Sequence, residues 1–318
     1  MFQNVTSRRR VARLEILFAV VVWGASFIAT KIALREVSPV TIVWLRFGMG
    51  VAVLGVAVVA RRQWAWVSPK ELGYFAGLGF LGVTFHQWLQ SNGLVTAQAT
   101  TTAWIVATTP VFMALLGWLF LKETMGPGKI AGIALAALGV LLVVSRGELG
   151  TVISGRLGAP GDFLVLVSAP NWAVFSVLSR HGLKTHPAAR MMFYVMTLGW
   201  LFTTLLFLAG PGPGELGRLS FDGWLGVGFL GLFCSGLAYI FWYDGLQAVP
   251  ASQVGVFLNV EPLVAVVVAA LVLGEPLRLA ALLGGGIILL GVWLVNRPAG
   301  EEVRPERLGQ SLEPTGEH

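Results

Sequence analysis

The sequence predicts an all-α integral membrane protein of ten transmembrane helices, arranged as two inverted five-helix repeats. Three observations lead there. The 318-residue chain is 56% hydrophobic and only 12% charged, whereas a soluble domain is roughly half apolar and a quarter charged. The solvent around much of it must therefore be apolar. Apolar stretches of about 20 residues, enough to span roughly 30 Å of hydrocarbon, recur along the chain. Finally, the second half repeats the first in register.

The first apolar segment, 14–34, follows Arg8, Arg9, Arg10 and Arg13. It is longer than the roughly 7–15 residues of a secretory signal core and has a counterpart later in the chain. It reads as a retained helix behind a cytoplasmic N-terminus, 1–13. Segments 39–60, 70–91, 98–121 and 127–145 complete the first unit, 14–145. Segments 160–180, 189–210, 222–244, 251–273 and 278–296 form the second, 160–296. The separators hold turn residues: Ser38-Pro39, Arg61-Arg62, Gly126-Pro127-Gly128, Pro211-Gly212-Pro213-Gly214 and Glu275-Pro276. The polar tail, 297–318, reads as disordered.

Sliding the sequence on itself by 152 residues sets Gly93-Leu94 on Gly245-Leu246, Pro110 on Pro262, Glu123 on Glu275, Gly132 on Gly284 and Gly139 on Gly291. Earlier in the halves an offset of 149 sets Trp23 on Trp172, Lys31 on Arg180 and Gly77–Gly82 on Gly226–Gly231. A three-residue insertion between about Val83 and Gly93 reconciles the two. A unit of five spans is odd, so its copy enters the membrane from the opposite side, the architecture of alternating-access carriers.

With ten spans both termini share a side. Placing them in the cytoplasm gives its loops fifteen Lys and Arg against six opposite, with Arg46 inside a helix. That satisfies the positive-inside bias and fits a multi-pass protein of the bacterial inner membrane. The net charge of +6 follows from this topology, so lipid headgroups rather than nucleic acid are the expected partner. The lone Cys234 excludes an internal disulfide or a Cys-rich metal site.

Trp23-Gly24-Ala25-Ser26-Phe27 with Lys31 in the first segment, Ser38-Pro39, then Arg46, form an ordered set of motifs. Each half then closes with a Pro within a span, Leu121-Lys122-Glu123 or Leu273-Gly274-Glu275, and a Gly-rich last helix. This set resembles the drug/metabolite transporter superfamily, EamA type, over about 14–296. The resemblance implies a secondary carrier of small metabolites, often an exporter of amino acids or related amphipathic compounds. No GxxxxGK[ST] nucleotide-binding motif is present, so no cofactor is expected, and protons are a candidate coupling ion.

Ionisable groups inside spans cost about 2.5–3.5 kcal/mol at a helix centre and point to function. Glu261, before Pro262, is the sharpest candidate: it suits proton coupling or a substrate amine, or structurally a pairing with Arg46. Arg46 suits a substrate carboxylate or charge neutralisation. Lys31, nearer an interface, suits snorkelling; together the three form a candidate charge network. His86 and Gln90 lie one turn apart on one face and suit a vestibule. Thr101, Trp104 and Thr108 share similar spacing, and Thr there also suits interhelical hydrogen bonding. Trp23, Trp172 and Tyr239 suit the wall of an amphipathic cavity, whereas Trp242 and Tyr243 suit an interfacial belt. Asn171, after Pro170, suits a broken-helix element. Pro110 and Pro262 suit hinges or static kinks. Glu123 and Glu275 are expected to complement the dipoles of the last helix of each half, and Gly73, Gly77, Gly226 and Gly284 to permit close helix approach.

Two other classes compete with a carrier. A lipid-acting membrane enzyme needs converging acids, bases or metal ligands, yet of His86, His181, His186 and His318 only His86 lies in a span. A channel-like facilitator needs a filter segment, and none is evident.

Overall fold

The computed structural model describes residues 2–148, 158–249 and 256–297, with Gly150 and Val254 besides. The side chains of residues 2–8 and 121 are excepted. Among the described residues the longer helical segments are α1 (Phe2–Ala33), α2 (Pro39–Ala60), α3 (69–96), α4 (99–121), α5 (Pro127–Val144), α6 (Pro160–Leu183), α7 (Ala188–Ala209), α8 (Phe221–Ala248), α9 (Val260–Leu273) and α10 (Leu279–Asn296), with short helical turns at Gly212–Glu215 and Leu216–Arg218 between α7 and α8. Eight of them are long and apolar enough to cross a membrane by length and composition; α9 is a shorter apolar helix. The described residues contain no strand.

The boundaries follow local chemistry. Pro39, Pro69, Pro127 and Pro160 open their helices, where the missing N–H is free of obligation and φ is preset. Ser68 and Glu71 form a capping box at α3. The repeated Leu-x-Glu turn ends α4 and α9 alike, with Lys122 and Gly274 both left-handed at φ 55° and 66°. The glycine takes that conformation freely, while the lysine does so against a steric cost. Upstream, α1 begins well before its apolar stretch, because the segment through Arg13 continues as helix and Ala12 packs under Gly245. The segment ahead of the apolar stretch is thus helical from Phe2. The tail after 297 and residues 251–253 and 255 of the ninth segment lie outside the described residues.

Packing follows a pseudo-two-fold axis relating the halves. Helix α1 packs on α8 and α9, and its counterpart α6 packs on α3 and α4. Helices α2 and α8 pair as α7 and α3 do, while α2–α7, α4–α9 and α5–α10 join like with like. The glycines report the symmetry atom by atom. A Cβ on Gly139 would meet the Gly284 carbonyl at 2.6 Å, and one on Gly132 would meet that of Gly291 at 2.6 Å. These two contacts exchange under the 152-residue offset, as a two-fold interface requires. Likewise Gly93 abuts Gly161 and Val165 as Gly245 abuts Ala12 and Ile16. Gly73 and Gly77, expected at close approaches, have nothing within 4 Å.

The three-residue insertion has a structural location. Helices α3 and α8 each contain a π-helical stretch, Phe80–Phe85 and Phe229–Leu237. Phe80 and Phe229 are related by 149, Phe85 and Leu237 by 152. The second stretch absorbs the extra residues as wider turns, the usual way a helix accommodates insertion.

Hydrogen bonds that cross between halves close both ends of the bundle. At one end, Glu215 accepts from the Ser38 amide (2.9 Å) and from the Ser38 and Thr41 hydroxyls (both 2.6 Å). Glu36 accepts in turn from the Ser220 amide and hydroxyl (both 2.6 Å). Each loop carboxylate therefore caps the first turn of a helix in the other half. Glu275 does the same for α4, accepting from the Ala99 and Thr100 amides at 2.8 and 3.1 Å. It was expected to serve its own half's last helix. At the other end Arg61 forms a bidentate pair with Asp244. Tyr74 there donates to the Leu178 carbonyl and accepts from the Gly182 amide.

Candidate functional site

A turn divides α4, and another stands immediately before α9, at places that correspond to within one residue under the repeat. Regular helix gives way to turn at residues 107–108 and 258–259 and restarts at Thr109 and Val260. Pro110 and Pro262 sit in the first turn after each break, so they start half-helices rather than kink continuous ones. The Thr108 and Thr109 hydroxyls turn back to the Ile105 and Val106 carbonyls at 2.6 and 2.7 Å, satisfying acceptors beside the break. Helix α6, by contrast, runs unbroken through Pro170. Asn171 is not a broken-helix element: its amide donates to the Leu81 carbonyl (2.9 Å), inside the π stretch of α3.

Glu261 lies in the first turn of the α9 half-helix. Its backbone carbonyl sits against Gly24, where a Cβ would come within 2.6 Å, so the glycine of the Trp23-Gly24 motif sets how closely α1 approaches this break. The Glu261 carboxylate is half-buried and has no hydrogen-bond or ion-pair partner among the described residues. The adjacent Trp23 donates its indole N–H to the Cys234 carbonyl at 3.0 Å, and its ring meets Tyr239 and Trp242 at 5.6 and 5.2 Å. Trp23 and Tyr239 thus come together as the sequence suggested. Tyr243, expected in an interfacial belt, is buried against the core of α7 and α3.

Arg46, on α2, is 5% exposed. Its Nε donates to Ser235 Oγ (3.0 Å) and its Nη1 to Gln87 Oε1 (3.1 Å). Gln87 escaped the sequence reading. Successive residues on a helix point about 100° apart, so His86 turns to α6 while Gln87 turns to α2. The signal that finds it is the two-fold itself, since Gln87 is the counterpart of Tyr239. The His86 ring stacks 4.7 Å from Trp172, which continues to Phe175 at 4.8 Å. His86 Nδ1 is buried without a partner. Gln90, one turn on, is only half-buried.

Other expected site residues fall elsewhere or apart. Trp104 is buried against Gly285, its indole N–H without an acceptor, in the core between α4, α9 and α10. Lys31 donates to the Ala97 and Leu94 carbonyls at 2.5 and 3.4 Å, capping the C-terminus of α3. It does not snorkel, and Lys31, Arg46 and Glu261 form no common charge network: each binds separate partners or none. Outside the spanning helices, hydrogen bonds from Ser220 hold the Glu36 carboxyl below the usual carboxylate range. For Glu215, desolvation raises the carboxyl, but donors from Ser38 and Thr41 together with Arg218 outweigh it, and the net shift is downward.

The chain is similar to proteins of one transporter family over both halves. Residues 12–145 and 159–297 each match the EamA-like transporter family. An uncharacterized transporter of Archaeoglobus fulgidus is 30% identical over 283 residues, covering 89% of this chain and 96% of its own. The uncharacterized transporter YyaM of Bacillus subtilis (strain 168) is 26% identical over 271 residues, covering 85% and 88%. One crystal structure superimposes with a TM-score of 0.64 at 20% identity over 89% of this chain and 97% of the other, which shows the shared fold.

Proposed function

The chain belongs to the EamA-like transporter family, and we propose that it is a secondary carrier. It exports small amphipathic metabolites, such as amino acids or related compounds, across the bacterial inner membrane with both termini in the cytoplasm. The solute occupies the interface between the halves, and alternating access comes from rocking one half against the other. The observation that carries this reading is the pair of two-fold-related breaks, one in α4 and one before α9, with the unpartnered Glu261 carboxylate in the first turn after the second. Discontinuous helices at a repeat interface are where carriers bind substrate and coupling ion, and a lone acid there suits a proton or an amine.

Counterflow tests it. Proteoliposomes preloaded with unlabelled amino acids and offered trace labelled ones are expected to accumulate label transiently and saturably. Glu261→Gln is expected to abolish the pH dependence of this exchange while the protein still folds. A pH profile unchanged in the variant removes the coupling role.

A further inference from the structure

Arg46 is a buried cation with no anion. Its guanidinium has five N–H donors in a rigid fork, and its two hydrogen bonds among the described residues go to neutral acceptors, Ser235 Oγ and Gln87 Oε1. The Arg61–Asp244, Lys129–Glu123 and His186–Glu71 ion pairs do not reach it. Charges inside a membrane bundle are expensive and ordinarily paired; a guanidinium held in place by neutral groups is a fork kept ready for an oxyanion. A second polar atom lies beside it, one that accepts rather than donates, since the other ring nitrogen of His86 faces the Ser168 carbonyl, and it suits an N–H or O–H of the same solute. His86, 5% exposed and next in sequence to the Gln87 that orients Arg46, presents a buried Nδ1 with no partner. The Trp172 ring lies against His86 and Tyr239 lies near Arg46.

We propose that Arg46 is the receptor for a carboxylate on the carried solute. The solute is then an organic acid or zwitterion with an apolar or aromatic body, and its amine or neutral analogue is refused. Resting on the carrier reading above, this makes Arg46 the residue that sets substrate class. Gln87 and Ser235 are positioning residues that hold the fork, and the site is distinct from the one Glu261 offers a cation.

The test uses three indoles that differ in charge: indole-3-acetate, L-tryptophan and tryptamine. Purified full-length protein in detergent is titrated with each, and the thermal unfolding midpoint is followed, because a ligand that binds the folded state raises it. The two carboxylates are expected to raise the midpoint and tryptamine to leave it unchanged. Arg46→Gln is expected to weaken carboxylate binding at least tenfold. Arg46→Lys, which keeps the charge and loses the fork, gives an intermediate loss and supplies the reading should the Gln variant not fold. Tryptamine binding as well as the acids, undiminished carboxylate binding in both variants, or no shift with either carboxylate would each overturn the proposal. The carrier reading is judged separately: exchange of tryptamine in proteoliposomes, unaffected by Arg46→Gln, keeps the carrier and removes the anion receptor, whereas saturable exchange of no solute removes the carrier.

Discussion

Glu215 offers the sharpest stability test, because one carboxylate oxygen gathers three donors from the opposite half: the Ser38 amide and the Ser38 and Thr41 hydroxyls. A hydrogen bond to a charged group contributes about 1.5–3 kcal/mol net. The three share one oxygen at the bundle's end, where water can replace the carboxylate, so they do not add in full. We expect Glu215→Ala to cost about 2–4 kcal/mol on that scale, and Glu215→Gln, which keeps an acceptor without the charge, to cost about half. The carboxyl is held below its ordinary value in the folded protein. Its contribution is therefore fully present above the unfolded value, about 4.3 for Glu, and disappears as pH falls through the lower folded value. Intrinsic tryptophan fluorescence during thermal unfolding in detergent measures the gap between wild type and Glu215→Ala. That gap should be constant from about pH 8 to 6 and, as pH falls below about 4.3 toward the lower folded value, narrow to the part that a neutral acceptor such as Glu215→Gln retains. A gap that persists unchanged through acid, or the absence of any gap, refutes the latch.

Other expectations follow from contacts already described. Gly139→Ala would push a Cβ to 2.6 Å from the Gly284 carbonyl, forcing α5 and α10 apart at a cost of about 1–3 kcal/mol. Gly286→Ala, facing open space, should change stability by less than about 1 kcal/mol; size-exclusion profiles and melting of the two variants separate them. The Arg61–Asp244 pair is partly exposed, at 36% and 27%, so a double-mutant cycle should give a coupling of only about 0.5–1 kcal/mol. High salt should shrink that coupling further.

Much of the scaffold was legible because membrane burial and repetition write themselves into sequence directly. The offset of 152 made Gly132 the equivalent of Gly284 and Gly139 that of Gly291, and the structure joins these four in two equivalent contacts; the two offsets also differ across the longer π stretch of α8. The site was legible less evenly. Trp23 and Tyr239 meet, and His86 meets Trp172, since aromatic groups inside a span have few other places to go. Partners of charged groups were not readable, because they depend on which end of which helix lies nearby. Lys31 therefore caps α3 rather than joining Arg46, and Glu275 caps α4 rather than α10. Proline was ambiguous for the same reason. Pro170 is carried inside α6 without interrupting it, while Pro110 and Pro262 each lie in the first turn after a break in regular helix.

The central claim is that transport requires the two halves to part, and locking them together tests it most directly. Thr41 and Glu215 touch across the halves at one end of the bundle, and the native Cys234 is fully buried. In a Thr41→Cys, Glu215→Cys variant reconstituted into liposomes, counterflow is measured before and after bridging with a short, cleavable thiol cross-linker. The account predicts that bridging stops exchange and cleavage of the bridge restores it. Exchange that continues at the unbridged rate in fully cross-linked protein would contradict it.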